Sequence, residues 1–294
     1  MIYKVIHKTS YDYYKPLSLC HNVAHLVPRD TEKQVCKKYH IEILPAPAVL
    51  EEYTDFFGNK VFYFSIEQEH SDLTVTVTSE IEKIGTMTVE RELFDQGSWQ
   101  SINSQLLGTA PDHSDVRQYI AETNMTASDQ AIHNYALISF TPGRSFFEAA
   151  KELMHRIFRD FQFVPGFTTI STPPAEVMRQ RKGVCQDFAH LAIACIRSMG
   201  LPARYVSGYI ETLPLPGRIK LVGVDASHAW YSVFVPHTGW VDFDPTNNQI
   251  PTTQHITVGW GRDYADVTPL KGVIVGNGTH NLTVNVDVRR KPDL

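Results

Sequence analysis

Gly183-Val184-Cys185-Gln186-Asp187-Phe188-Ala189-His190-Leu191-Ala192-Ile193-Ala194-Cys195-Ile196-Arg197-Ser198-Met199-Gly200-Leu201-Pro202 reads as a helix that begins with a cysteine. Gly183 supplies a flexible entry. From Phe188 the residues are mostly good helix formers, and Leu191, Ala192, Cys195, Ile196 and Met199 recur at helical spacing. Gly200 and Pro202 stop the helix in the order that helix C-termini favour. A cysteine in the first turn lies among unpaired backbone N–H groups at the positive end of the helix dipole. Both favour thiolate over thiol, the ionised form that a nucleophile needs. The plain alternative, a small buried apolar residue, fits poorly beside Gln186 and Asp187. Cys195 reads as core, His190 as a packing or helix-surface residue, and Asp187 as a first-turn acid that complements the dipole.

The chain has 294 residues, enough to bury a substantial core in one large domain or two. Its formal net charge is -5, and no Lys/Arg cluster has the footprint of a nucleic-acid binder. No apolar run reaches the length of a membrane span, and Met1–Lys8 lacks the apolar core of a signal peptide. The expected location is therefore cytoplasmic. The four cysteines, Cys20, Cys36, Cys185 and Cys195, are sparse and lack CxxC spacing, which argues against disulfides. No metal or other cofactor is expected: no second cysteine or histidine pair completes four ligands around Cys185 and His228.

Residues 1–90 read as an all-β sandwich. Leu73, Val75, Val77 and Ile81 alternate on one face of a strand, and Gly58-Asn59 between two apolar runs signals a two-residue hairpin. Residues 91–294 form the second part, in three segments. A helical lead-in spans 91–165, where Phe147, Ala150, Met154, Ile157, Phe158 and Phe161 make an apolar stripe. Residues 166–250 hold a short helix after Pro173-Pro174, the cysteine helix, and strands at 203–210, 226–235 and 239–244. Residues 251–294 carry the C-terminal strands. Helices followed by antiparallel strands make this an α+β fold. Leu213–Gly217 reads as a surface hairpin tip.

A thiolate needs a base or cation partner, and that partner needs an orienting group. His228, at the start of a strand, is the best histidine. The next strand offers two carboxylates, Asp242 and Asp244, which share a face by the strand period.

Gly-x-Cys on a helix, His-Ala-Trp opening a strand, and Gly-Trp-x-x-x-Asp-Pro-Thr occur here in that order, as Gly183, Cys185, His228, Ala229, Trp230, Gly239, Trp240, Asp244, Pro245 and Thr246. This order resembles the transglutaminase-like superfamily of papain-like cysteine enzymes. Tyr3-x-Val5-x-His7-x-Thr9-x-Tyr11-x-Tyr13 and Leu26-x-Pro28-Arg29 look like the β domain that precedes the core in bacterial members. The tail from His255 to Gly272 is similar to the same subfamily.

The resemblance implies a papain-like core with Cys185 as nucleophile, His228 as general base and acid, and Asp244 as orienter. It chooses Asp244 over Asp242. The implied activity is cysteine hydrolase chemistry on peptide or protein amide bonds through a thioester acyl-enzyme. Transglutaminase-type transfer to amines is the first alternative, and a non-catalytic peptide-binding module the second. Gln186, Trp230, Asp242, Arg262, Asp263, Tyr264 and Asp266 are further candidates for the substrate cleft.

Overall fold

The computed structural model describes residues 1–85, 97–107, 114–212, 226–276 and 279–291. Six strands come first: β1 (Ile2–Leu17), β2 (Leu19–Ala24), β3 (Gln34–Leu44), β4 (Val49–Thr54), β5 (Lys60–Ile66) and β6 (His70–Lys83). Leu73, Val75, Val77 and Ile81 are all buried, because one strand face covers an apolar core throughout. The Gly58-Asn59 turn is wider than a two-residue hairpin: Thr54 pairs with Lys60, leaving a loop over 55–59. Asp55 dictates it, accepting hydrogen bonds from the backbone N–H groups of Phe57 (2.9 Å) and Asn59 (2.8 Å). Gly58 takes the left-handed conformation the loop then requires, with φ at +77°.

The middle of the chain is helical: α1 (Trp99–Leu107), α2 (Ser114–Arg117), α3 (Gln130–Ser139), α4 (Phe146–Asp160), α5 (Pro174–Gln180) and α6 (Cys185–Ser198). Within it, β7 (Gln162–Phe163) and β8 (Lys182–Gly183) form a small parallel pair. Helix α4 starts where Ser145 accepts from the Glu148 N–H at 3.2 Å, a hydroxyl N-cap. Its apolar stripe is buried except for Phe158, which is 49% exposed. Helix α6 departs from the expected one-sided pattern, since every residue from Asp187 to Arg197 is buried. Alanines at 189, 192 and 194 let neighbouring helices and the sheet approach it from all sides. It ends as expected, on Gly200 at φ +73°.

Four antiparallel strands follow: β9 (Ala203–Ile210), β10 (Ala226–Val235), β11 (Gly239–Phe243) and β12 (His255–Gly261), in the order β11-β10-β9-β12. The final strands, β13 (Leu270–Val275) and β14 (His280–Arg290), correct the expectation that 251–294 belongs wholly with the core. They complete the sandwich instead, giving sheets β14-β1-β6-β3 and β13-β2-β5-β4. Alternating residues specify which face of a strand is buried; they do not specify its neighbour. The expected Leu213–Gly217 tip lies outside the described residues, as does most of the expected domain junction.

The two halves share a core. Tyr3, Val5, Ile81, Val286 and Val288 of the sandwich pack on Tyr209, Ile256 and Val258 of β9 and β12. Strand β12 would also present an unpaired edge, and two side-chain amides close it. Gln34 Nε2 donates to Thr257 O at 2.7 Å, and Gln34 Oε1 accepts from Thr257 N at 3.0 Å. Asn59 repeats the pattern on Trp260, donating to its carbonyl at 2.9 Å and accepting from its N–H at 3.0 Å. Each amide thus imitates one residue of a neighbouring strand. Gly259 makes room, since a Cβ there would fall 2.8 Å from Asn59 Oδ1. Lys83 Nζ donates to the His255 carbonyl at 2.6 Å, and burial, partly offset by Asp242, pushes its ammonium down to about 8. The Arg204 guanidinium lies between the rings of Trp240 (4.2 Å) and Trp260 (3.7 Å), and Arg29 also covers Trp260 at 3.2 Å.

Candidate active site

Cys185 is the first residue of α6, half-buried, with its backbone N–H at a position that has no intrahelical acceptor. The turn before it is closed by Asp187, whose Oδ2 accepts from Val184 N at 2.7 Å and from the Thr168 hydroxyl at 2.6 Å. Burial raises the Asp187 carboxyl above its ordinary range, against the pull of these two donors. Asp187 therefore fastens the loop before α6 to the first turn. Gly183 is required by space rather than flexibility: a Cβ would stand 2.8 Å from Asp187 Oδ2.

His228 enters from β10, opposite Gly208 of β9, and is buried. Its Nε2 lies 2.7 Å from Asp244 Oδ2, and Cys185 acts on the same ring from α6. With Nε2 taken by the carboxylate, Nδ1 is the ring nitrogen left to serve Cys185. Burial works against charge on His228, but the hydrogen bonds and charges of Asp244 and Cys185 outweigh it and push the imidazole up to about 10. The carboxylate thus favours the charged form of the ring.

Asp244 follows β11 and is wholly buried. Its Oδ1 accepts from the N–H groups of Thr246 (3.0 Å) and Asn247 (3.2 Å), which shapes the turn before Pro245–Asn248 returns to Gln249. Its Oδ2 accepts from His228, from His255 Nε2 (2.9 Å) and from Asn247 Nδ2 (2.8 Å). Burial alone would raise this carboxyl; the donations from the two histidines hold it well below the usual carboxylate range. One aspartate thus makes the turn and faces the imidazoles. Asp242 does neither: its carboxylate lies 3.7 Å from Lys33 Nζ.

The other candidates fall in three places. Trp230 is fully buried beside the site, 5.9 Å from the His228 ring and 5.1 Å from that of His255. Gln186 follows the nucleophile and donates to Ile170 O at 3.2 Å. The segment from Arg262 to Asp266 is tied to α6, where Arg197 donates to the Arg262 carbonyl at 2.7 Å. Arg262 and Asp266 form a two-pronged pair at 2.9 Å, Asp263 caps a short 3-10 turn, and Tyr264 N donates to His190 Nε2 at 3.1 Å. His190 is buried and held neutral, pushed down to about 3. Sequence reasoning missed His255 and Asn247. The signal for His255 was its place at the head of the tail motif.

A half-buried helix-start cysteine backed by a sheet-borne histidine and a buried carboxylate is the arrangement of a papain-like cysteine enzyme. Two family profiles match the chain: the bacterial transglutaminase-like N-terminal region over residues 3–82 and the transglutaminase-like superfamily over 139–245. An uncharacterized protein of Mycobacterium tuberculosis is 38% identical across 97% of this chain and 92% of its own length. Another, from Mycobacterium leprae, is 34% identical across 98% of both chains. The chain belongs to the transglutaminase-like superfamily. A Cytophaga hutchinsonii structure described as a “putative cysteine protease” shares the fold, with a TM-score of 0.76 at 18% identity over 100% of this chain and 92% of that one. A Pseudomonas aeruginosa protein-glutamine gamma-glutamyltransferase is 36% identical over 72 residues, 24% of this chain and 11% of that protein. No helix among the described residues is long and apolar enough to cross a membrane.

Proposed function

We propose that the protein is a cysteine amidase or peptidase with a Cys185–His228–Asp244 triad, acting on peptide or protein amide bonds. The observation that carries this reading is the 2.7 Å hydrogen bond between His228 and buried Asp244, with Cys185 at a helix start acting on the same ring. The Cys185 sulfur attacks the amide carbonyl, forming a C–S bond. The Cys185 N–H, free at the helix start, donates to the developing oxyanion, a contact typically worth about 3–4 kcal/mol. His228 delivers its Nδ1 proton to the departing amine as the C–N bond breaks, leaving a thioester. Water then attacks with His228 as base, and the acid departs. Asp244 keeps Nε2–H of the ring pointed at itself throughout. Four unpaired thiols among the described residues suit cytoplasmic residence.

Alkylation at pH 7 tests the nucleophile. Burial pushes the Cys195 thiol up to about 12, the Cys36 thiol up to about 11 and the Cys20 thiol upward. Cys185 should react with iodoacetamide about 100-fold faster than these, because the thiolate is the reacting species. If Cys195 or Cys36 keeps pace by mass spectrometry and His228→Ala changes nothing, the reading is wrong.

The stretch shared with the glutamyltransferase supports a second reading, acyl transfer to an amine. A labelled primary amine offered with a glutamine peptide separates the two. Release of ammonia with no label retained is the expected result. Label incorporated without net hydrolysis would overturn the preference for a hydrolase.

A further inference from the structure

We infer that His255 is a positioning residue for Asp244, and through it for His228: a second histidine that fixes the carboxylate oxygen on which His228 rests. This inference depends on the reading of Cys185, His228 and Asp244 given above.

His255 opens β12 and reaches the site from the side of the sheet opposite β11. Its Nε2 lies 2.9 Å from the same Oδ2 that holds His228 at 2.7 Å. A carboxylate can only accept, so His255 Nε2 carries the proton. The ring is 2% exposed and stands edge-on to Trp230 at 5.1 Å. Its other nitrogen, Nδ1, has no hydrogen-bond partner. A buried, unpaired acceptor is unfavourable, and a residue kept only for packing would gain by being apolar. What the imidazole adds over an apolar side chain is the one N–H aimed at Asp244.

The charged surroundings favour this division of roles. Asp244 faces both rings from the end of β11, Asp242 acts on His255 from the same strand, and His228 faces it from β10. Lys83 lies on the His255 carbonyl, and Cys185 faces His228 from α6. Burial and the His228 charge hold His255 below its ordinary value, and the aspartates oppose them only in part. One histidine therefore carries the charge and the other stays neutral. The neutral ring ties the carboxylate to β12, whose position is set in turn by Gln34, Asn59 and Lys83 of the sandwich.

The test is the pH profile of Cys185 alkylation by iodoacetamide in the full chain, which needs no substrate. His255→Met removes the N–H and keeps the volume; His255→Gln keeps a donor. In His255→Met a less firmly held imidazolium should move the acid limb of the profile up by about one pH unit, so that labelling below the limb falls about tenfold. His255→Gln should return the limb most of the way. Should His255→Met fail to fold, His255→Asn, whose amide is too short for Oδ2, replaces it. Variants that melt apart from wild type yet share its acid limb would show a packing role only and overturn the inference. A wild-type limb identical to that of His228→Ala would instead overturn the underlying reading of the nucleophile.

Discussion

Asp244→Ala is expected to cut amide hydrolysis by roughly 10³–10⁴-fold. The residue is wholly buried and accepts five hydrogen bonds, from two histidine rings, one side-chain amide and two backbone N–H groups. Removing it orphans all five donors and leaves the His228 cation without its counter-charge. Losing one partner of a buried charged pair costs about 3–5 kcal/mol. Asp244→Asn should rescue little, because the amide brings two N–H donors to a site already filled with donors. Thermal melts across pH provide a second reading. The Asp244 carboxyl is held below its ordinary value, so its stabilising contribution is present above about pH 4 and lost as pH falls through the lowered value. The His228 imidazole is raised to about 10, so its contribution is whole below about pH 6.5 and fades as pH rises through the raised value. Asp244→Ala should abolish both dependences. A variant that retains the wild-type profile would remove Asp244 from the site.

Gly208→Ala should cause the largest loss of stability of any single methyl group added near the site. Gly208 lies in β9 between His228 of β10 and Thr257 of β12. A Cβ would stand 2.2 Å from Ile256 O and 2.5 Å from the Trp230 ring. The first contact is with backbone, so β12 itself must move. Overpacking in a tight core costs typically 1–3 kcal/mol, and a backbone clash this close places the cost at about 3 kcal/mol or more. That corresponds to a melting temperature roughly 10 °C lower. The displacement also separates His255 from Asp244, so Cys185 reactivity should fall with it. A melt within about 2 °C of wild type would falsify the close approach of β9 and β12.

Much of this was legible in the sequence, and the gaps have a common cause. Strands β9 and β10 follow the expected 203–210 and 226–235, because β-branched and aromatic runs between turn residues are local signals. Cys185, His228 and Asp244 were legible as candidates because each lies in a short motif at a helix start, a strand start or a strand end. His255 was not, since its partner is set by strand order across the sheet rather than by its neighbours in sequence. The same holds for β13 and β14, whose alternation marks a buried face but not the sheet that receives it. Asp187 read as an acid placed for the dipole; its burial beneath Gly183 and Thr168 depends on a loop path that no periodicity encodes. Gln34 carried no signal and Asn59 signalled only a turn, because a surface amide and a strand-mimicking amide look alike in a sequence.

Those two amides bear on what counts as a unit of this protein. The stretch shared across the superfamily ends at residue 245, and it contains Cys185, His228 and Asp244. It stops short of Thr246, Asn247 and β12, so as a separate polypeptide it would leave β9 an open edge and Asp244 with His228 alone of its five donors. The segment that the superfamily profile delimits is therefore smaller than the segment that holds Asp244 in place. The sandwich and β12 form the outer wall of the half that carries Cys185, which makes the protein a poor source of portable parts.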